Sequence, residues 1–255
     1  MITNNQINVR WSGPHKPNWG DELNKTLVNL ISGKKVVYTD DPDTPHYLCT
    51  GSILRWAHKN TTVWGSGFIS KEDKITEQPN IAAVRGPLSR DKILELGFTC
   101  PEIYGDPALL YPRFYQPKNS RRRYKIGIIP HYIDQNNSWL DQFKGNPDVK
   151  VINILGKDVN RFVNHVNRCD LILSSSLHGI ICGDAYGIPS YWIKLSDNVQ
   201  GGDFKFNDYF RSVNRPDTKP IIIDKDSKIA DMKFHDYKIS IDLDLLYNSC
   251  PFKQN

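Results

Sequence analysis

The chain is poor in the features that would staple it, anchor it or load it with metal. Its five cysteines (Cys49, Cys100, Cys169, Cys182 and Cys250) are scattered over 255 residues, odd in number and without C-x-x-C spacing. That argues against a disulfide framework and a zinc site, and for reduced thiols. No apolar run approaches the length of a membrane span. The opening, Met1-Ile-Thr-Asn-Asn-Gln, has neither the basic nor the apolar region of a secretory leader, so a cytoplasmic location is expected. No metal cluster is visible, and neither a metal nor a cofactor is expected. Surplus charge is also small. A formal net charge of +5 suits anionic small molecules or a lipid surface. It falls short of the basic stripe that nucleic acid requires, so no nucleic-acid partner is expected. The one dense cationic run, Arg121-Arg122-Arg123, reads as a solvated linker, with a peripheral membrane contact as the minority reading.

What the chain does have is alternation. Short β-type runs fit Val36–Tyr38, Tyr47–Thr50, Thr62–Trp64, Ile81–Val84 and Glu102–Tyr104, with helices over Asp21–Ser32 and Pro87–Leu96. Asp21 is a plausible N-cap of the first helix, and Gly33 its stop. A Pro- and Arg-rich stretch from Pro107 to Arg123 reads as a linker. The alternation then restarts. Strands fit Lys125–Ile129, Val149–Ile154, Leu171–Leu173, Ser190–Lys194 and Pro220–Ile223. Helices fit Ser138–Phe143, Asp158–Cys169, Ile180–Tyr186, Phe206–Val213 and Asp242–Asn248. Two successive βα arrays predict an α/β protein of two parallel-sheet domains, residues 1–118 and 119–255. Ligands of such sheets sit at the carboxyl ends of the strands, so the expected site is the cleft between the domains.

The most telling segment is Ser174-Ser175-Ser176-Leu177-His178-Gly179. An apolar strand stops at three serines, and a histidine then opens a short apolar helix. Hydroxyls, unpartnered backbone N–H groups and an imidazole meet at a helix N-terminus, which attracts anions. Ser175, Ser176, Leu177 and His178 are therefore the candidate anion seat, with His178 handling protons. Arg85, between a strand and the Pro87 helix, is placed to clamp a carboxylate or phosphate. Lys205 follows Gly201-Gly202 in a loop that can close over an anion, and Lys194 competes for that role. Asn18, Asp21 and Glu22 open the first helix, where a capping role is the local reading and sugar binding the functional one. Asp106, in Gly105-Asp106-Pro107, either caps a turn or holds a sugar.

Asn18-x-Gly20-Asp21, Val84-Arg85-Gly86-Pro87-x-Ser89, Gly105-Asp106-Pro107, and Ser176-Leu177-His178-Gly179 with Gly187-Ile188-Pro189 occur in this order in polysaccharide pyruvyltransferases. The resemblance runs from about Asn18 to Phe210 and extends to the Leu245-Leu246-x-x-x-Cys250-Pro251-Phe252 ending. It implies two Rossmann-like domains arranged as in GT-B glycosyltransferases, the first on the acceptor side and the second on the donor side. It also implies transfer of pyruvate from phosphoenolpyruvate to a hexose, of galactose type, in a surface polysaccharide or its lipid-linked precursor. The product would be a cyclic ketal. By motif position Arg85 resembles the family's donor-binding arginine and His178 its catalytic histidine. Lys205 lies near a family lysine. This chain departs from some members in carrying Ser176, not arginine, before the Leu-His pair. Two other readings stand beside this one: a glycosyltransferase using a nucleotide sugar, and a non-catalytic carbohydrate-binding protein that stacks sugars on its many aromatic residues.

Overall fold

The computed structural model describes residues 5–12, 17–118, 121–217 and 219–254. The first half contains β1 (Gln6–Val9), α1 (Trp19–Ser32), β2 (Lys35–Tyr38), β3 (His46–Leu48), β4 (Thr61–Trp64), β5 (Asn80–Ala83) and α2 (Pro87–Glu95). Its strands are all parallel, in the order β2-β1-β3-β4-β5. The second half contains β6 (Tyr124–Ile129), β7 (Val149–Val151), α3 (Val159–Val166), β8 (Cys169–Ser174), α4 (Leu177–Ala185), β9 (Ser190–Lys194), α5 (Phe204–Ser212) and β10 (Ile221–Ile222). These strands too are parallel, in the order β10-β9-β8-β6-β7. A last helix, α6 (Leu243–Asn248), follows.

Both sheets reverse their winding once. The chain lays β2 on one side of β1 and β3 on the other. It repeats the move with β7 and β8 around β6. At such a reversal successive connections leave on opposite faces, and a crevice opens at the carboxyl ends of the two central strands. The fold therefore creates two crevices, one after β1 and β3 and one after β6 and β8.

Local chemistry sets the elements around these crevices. Asn18, not Asp21, caps α1: its Oδ1 accepts the N–H groups of Gly20 and Asp21 at 3.1 and 3.2 Å. The helix therefore starts two residues earlier than its apolar spacing suggested. Leu23, Leu27, Val28 and Ile31 form its buried stripe. It ends at Gly33, whose φ of 64° suits glycine and whose N–H returns to Asn29. The run at Glu102–Tyr104 supplies only an isolated bridge, Tyr104 to Val84, and Ser138–Phe143 is a 3-10 helix.

The Pro107–Arg123 stretch is not simply a linker. Asp106 caps a 3-10 helix over Pro107–Arg113, and Ala108, Leu109, Leu110 and Tyr111 are buried. These four belong to one apolar cluster that also holds Val9 and Leu23 of the first half and Ile129, Ile172 and Ile180 of the second. The chain's end crosses between the halves as well. Tyr237 bonds Asp184, and then Trp64 donates its indole N–H to the Leu246 carbonyl of α6 at 3.0 Å. Among the described residues no helix is long and apolar enough to cross a membrane.

Candidate active site

The two crevices share one cavity of about 150 Å³. Ser12, Asn18, Asp21 and Ser52 come to it from the first crevice; His131, Ser176, Leu177 and His178 come from the second; Lys205 of α5, which follows β9, adds to the lining with Trp56, Arg55 and Tyr132. Joints between the halves brace it. Trp19 N–H donates to Ile154 O at 3.0 Å and Gly156 N–H to Pro17 O at 2.9 Å. Elsewhere Arg85, just past β5, pairs with Asp208 of α5 at 2.9 Å.

Three serines after β8 divide the labour. Ser174 Oγ reaches the Ile129 carbonyl at 2.9 Å and accepts the Ser176 N–H at 3.0 Å, locking the turn. Ser175 Oγ donates to Asp134 at 2.9 Å and accepts the His131 N–H at 2.8 Å, joining the loops that follow β6 and β8. Ser176 is the residue before α4, but its hydroxyl makes no cap bond. The Gly179 N–H returns to the Ser176 carbonyl at 3.1 Å, so the Ser176 hydroxyl and the N–H groups of Leu177 and His178 are left to serve a ligand in the cavity.

His178 lies against the start of α1. A Cβ on Gly20 would come 2.1 Å from its Nδ1, so only glycine lets the ring sit there. Burial, then the charges of Lys205, Arg85 and His131, push its pKa down to about 3. The imidazole is neutral at physiological pH. His131 is pushed down to about 4 by burial and by Lys205. The sequence reading passed over His131. Its signal was its place two residues beyond a strand's carboxyl end, after Pro130.

Lys205, in the first turn of α5, is only 6% exposed. Its ammonium has no carboxylate partner among the described residues. Burial, then Arg85, lower its pKa to about 8. Lys194 is different: it is paired with Asp197 at 2.6 Å and lines a neighbouring cavity. Asp21 is buried in the same pocket as Lys205, with Asn18 Nδ2 donating to its carboxyl. Burial dominates over that hydrogen bond and lifts the Asp21 pKa to about 8, with Glu22 adding to the rise. The pocket therefore holds the unpaired Lys205 ammonium, Arg55 with its partner Asp73, a protonated carboxyl and two neutral imidazoles.

The remaining sequence candidates lie outside this lining. Arg85 is fully buried, its guanidinium donating to Asp208, to Ser52 Oγ at 2.6 Å and to the Phe68 carbonyl at 2.6 Å. It reaches the pocket only through Ser52. Asp106 is buried and accepts the Ala108 N–H at 3.0 Å as a cap. Glu22 is half-buried beside the pocket residues Asn18 and Asp21 but is not itself part of the lining. Ser175 is committed to Asp134 and His131. Among the described residues no group of His, Cys, Asp or Glu is placed to hold a metal ion.

A family model described as polysaccharide pyruvyl transferase matches residues 18–197, which contain most of this pocket. An uncharacterised protein of Acanthamoeba polyphaga mimivirus is 31% identical over 199 residues, 75% of this chain and 69% of its own length. The succinoglycan biosynthesis protein ExoV of Rhizobium meliloti (strain 1021) is 27% identical over 240 residues, 88% of this chain and 71% of its own length. A crystal structure of a functionally uncharacterised protein from Klebsiella pneumoniae superposes with a TM-score of 0.50, covering 86% of this chain and 93% of that one at 11% identity. At that identity the likeness is one of fold alone.

Proposed function

The chain belongs to the polysaccharide pyruvyl transferase family, and from that premise we propose that it transfers the pyruvyl group of phosphoenolpyruvate to a hexose, forming a cyclic ketal and releasing phosphate. The acceptor is a galactose-type residue of a surface polysaccharide or its lipid-linked precursor. The two sheets act as two Rossmann-like domains, residues 1–118 and 119–255, in a GT-B-like arrangement with the reaction in the cleft between them. The enzyme works in the cytoplasm and visits the membrane peripherally. The observation that carries this reading is the unpaired, buried Lys205 ammonium, in one pocket with the α4 N-terminus and His178.

The donor carries a carboxylate and a phosphate. Lys205, the Ser176 hydroxyl and the first N–H groups of α4 hold them. Ser176 stands where some family members have arginine, so here a backbone and hydroxyl cradle replaces a second cation. Arg85 is a positioning group: it holds Ser52 toward the pocket and, through Asp208, fixes the helix that carries Lys205. The acceptor ring lies across Trp56. Arg10 covers the Trp56 ring with its Cζ 4.7 Å from the centroid, and the indole also lines the pocket. Asn18 and Asp21 meet the acceptor's hydroxyls.

Protons balance within the site. Two sugar hydroxyls lose one proton each; one ends on C3 of the donor, making the methyl group, and one leaves on phosphate. C2 gains oxocarbenium character as C3 is protonated, a sugar oxygen attacks it, and the second oxygen then displaces phosphate. His178 relays the proton to C3. It is neutral in the free pocket and becomes easier to protonate once the anionic donor offsets the cations that depress its pKa. Lys205 and the α4 terminus stabilise charge on the departing phosphate.

Incubation with isotopically labelled phosphoenolpyruvate and a galactosyl acceptor should release phosphate and put the label on the acceptor. A nucleotide-sugar glycosyltransferase is the second reading, favoured by the neighbouring cavity of about 380 Å³ along Lys194–Asp203. Transfer of a whole sugar from a nucleotide donor, with phosphoenolpyruvate inert, would replace the first reading by the second.

A further inference from the structure

Away from this pocket a second cavity, of about 420 Å³, opens at β7, the edge strand of the second sheet. Lys150 of β7, Lys157, and Arg161 and His165 of α3 line it, with Asn153 beside them. Arg161, His165 and Arg168 follow one another at steps of four and three, so they share one side of α3 and its exit turn. What sets the lining cations apart from scattered surface charge is that they gather around one cavity. Lys125, Lys144 and Lys194 of the same half each pair with a nearby aspartate, at 2.9, 2.8 and 2.6 Å. Among the described residues Lys150, Lys157, Arg161 and Arg168 pair with none.

The His165 ring registers the uncompensated field. After burial, the groups that lower its pKa are Lys150, Arg161 and Arg168, and no carboxylate acts in the opposite sense. Asp158 is the one acid in the lining, and its Oδ1 is engaged by the Arg161 backbone N–H at 2.9 Å. Cations gathered in a concave site with one acid, and none of them at ion-pair distance from it, repel one another, and an anion that bridges them relieves that repulsion. Arg161 offers a planar fork, the two lysines offer point charges, and His165 offers a ring N–H. That donor set matches phosphoryl oxygens, and the volume admits more than one phosphate group.

We propose that this groove is a second anion site, separate from the candidate active site, that takes a phosphate or diphosphate group. Ile154 lines both cavities, so the groove backs onto the active pocket. Two sources offer this chemistry: a soluble phosphorylated molecule and the headgroup of a membrane lipid.

The test uses the full chain and does not depend on turnover. Inorganic pyrophosphate is titrated calorimetrically while the His165 ring resonances are followed. Lys205→Met blanks the active pocket. Lys150→Ala with Arg161→Ala empties the groove; Lys150 is half-buried and Arg161 exposed, and neither has an ion-pair partner, so the fold should persist, as melting temperature and circular dichroism will verify. Binding should survive Lys205→Met, should shift the His165 titration upward, and should weaken about tenfold or more in the groove double variant. Flotation with vesicles of phosphatidic acid against phosphatidylcholine identifies the source. Groove-dependent recruitment to the acidic vesicles marks a lipid headgroup, and pyrophosphate binding without recruitment marks a soluble ligand. Pyrophosphate binding that vanishes with Lys205→Met and ignores the groove substitutions would overturn the proposal, whether or not the chain turns over phosphoenolpyruvate.

Discussion

Replacing Lys205 by methionine should make the protein more stable and destroy its grip on the proposed donor. The folded pKa falls from 10.5 to about 8, first because the ammonium is buried and then because Arg85 is near. Each pKa unit corresponds to about 1.4 kcal/mol, so keeping this group charged costs the fold about 3 kcal/mol. The folded value lies below the unfolded one. The penalty is therefore present in full below pH 8 and relieved as pH rises from about 8 toward 10.5, where the unfolded chain still holds the proton. Methionine fills similar space with no charge to desolvate. For a chain of this length about 2–4 °C accompany each kcal/mol, so thermal unfolding at pH 7 should rise by several degrees. Phosphoenolpyruvate should raise the melting temperature of the parent protein, because it binds only the folded state, and should leave that of Lys205→Met unmoved. A variant that melts lower than the parent, or that still responds to phosphoenolpyruvate, would show that Lys205 is structural and refute the reasoning.

His178→Ala should leave the fold intact and lower kcat by about 100-fold or more, measured as phosphate release; near-parent turnover would remove His178 from the proton path. Asp21 has a folded pKa of about 8 against an unfolded value of 3.8, so the folded state binds the extra proton and stability should decline as pH rises between those values. Denaturant titrations of Asp21→Asn across that window should lack the decline, and an unchanged slope would relieve Asp21 of it. Arg85→Ala strips a buried carboxylate of its partner and should destabilise the fold by about 3–5 kcal/mol, read from urea midpoints. A loss of donor affinity at full stability would instead make Arg85 a direct clamp. Trp56→Ala should raise the acceptor KM and leave the donor KM unchanged, and equal effects on both would move the sugar elsewhere.

Fold class was legible from the sequence because parallel strands buried on both faces leave short apolar runs between helical stretches. Ser190–Lys194 was read to the residue. β1 escaped because Gln6–Val9 is only four residues long and only Ile7 and Val9 are apolar. The Pro107 segment was misread because proline and arginine density marks loops on average, whereas Ala108–Tyr111 between them are core. At the site, local signals sufficed where one segment builds the feature. The Ser174–His178 turn is announced by its own strand and helix, although Ile129, Asp134 and His131 complete its hydrogen bonds. Arg85 was another matter. Its burial depends on Asp208, 123 residues further along, and a strand-end position says nothing about a partner that distant. His131 was missed for a related reason: what makes it a candidate is sharing a pocket with Lys205 and His178, not its neighbours in sequence.

The electrostatics of the free pocket carry a kinetic consequence. Lys205 is charged and unpaired, while Asp21 and both histidines are neutral at pH 7. The proposed trianionic donor would meet Lys205, Arg55 and a helix terminus, with the Asp21 carboxyl protonated. Once seated, that donor would offset the positive field that holds His178 near pKa 3 and should raise that value toward one useful for proton transfer. A sugar arriving first gains no such change, because a neutral ring leaves the charge balance as it was. On the proposed function, donor binding should therefore precede acceptor binding. Initial-rate patterns should show the acceptor competing with neither phosphoenolpyruvate nor its unreactive analogues, and acceptor affinity should tighten when an analogue is present. Acceptor binding that is equally tight in the empty pocket would mean the donor's charge does not prepare the site.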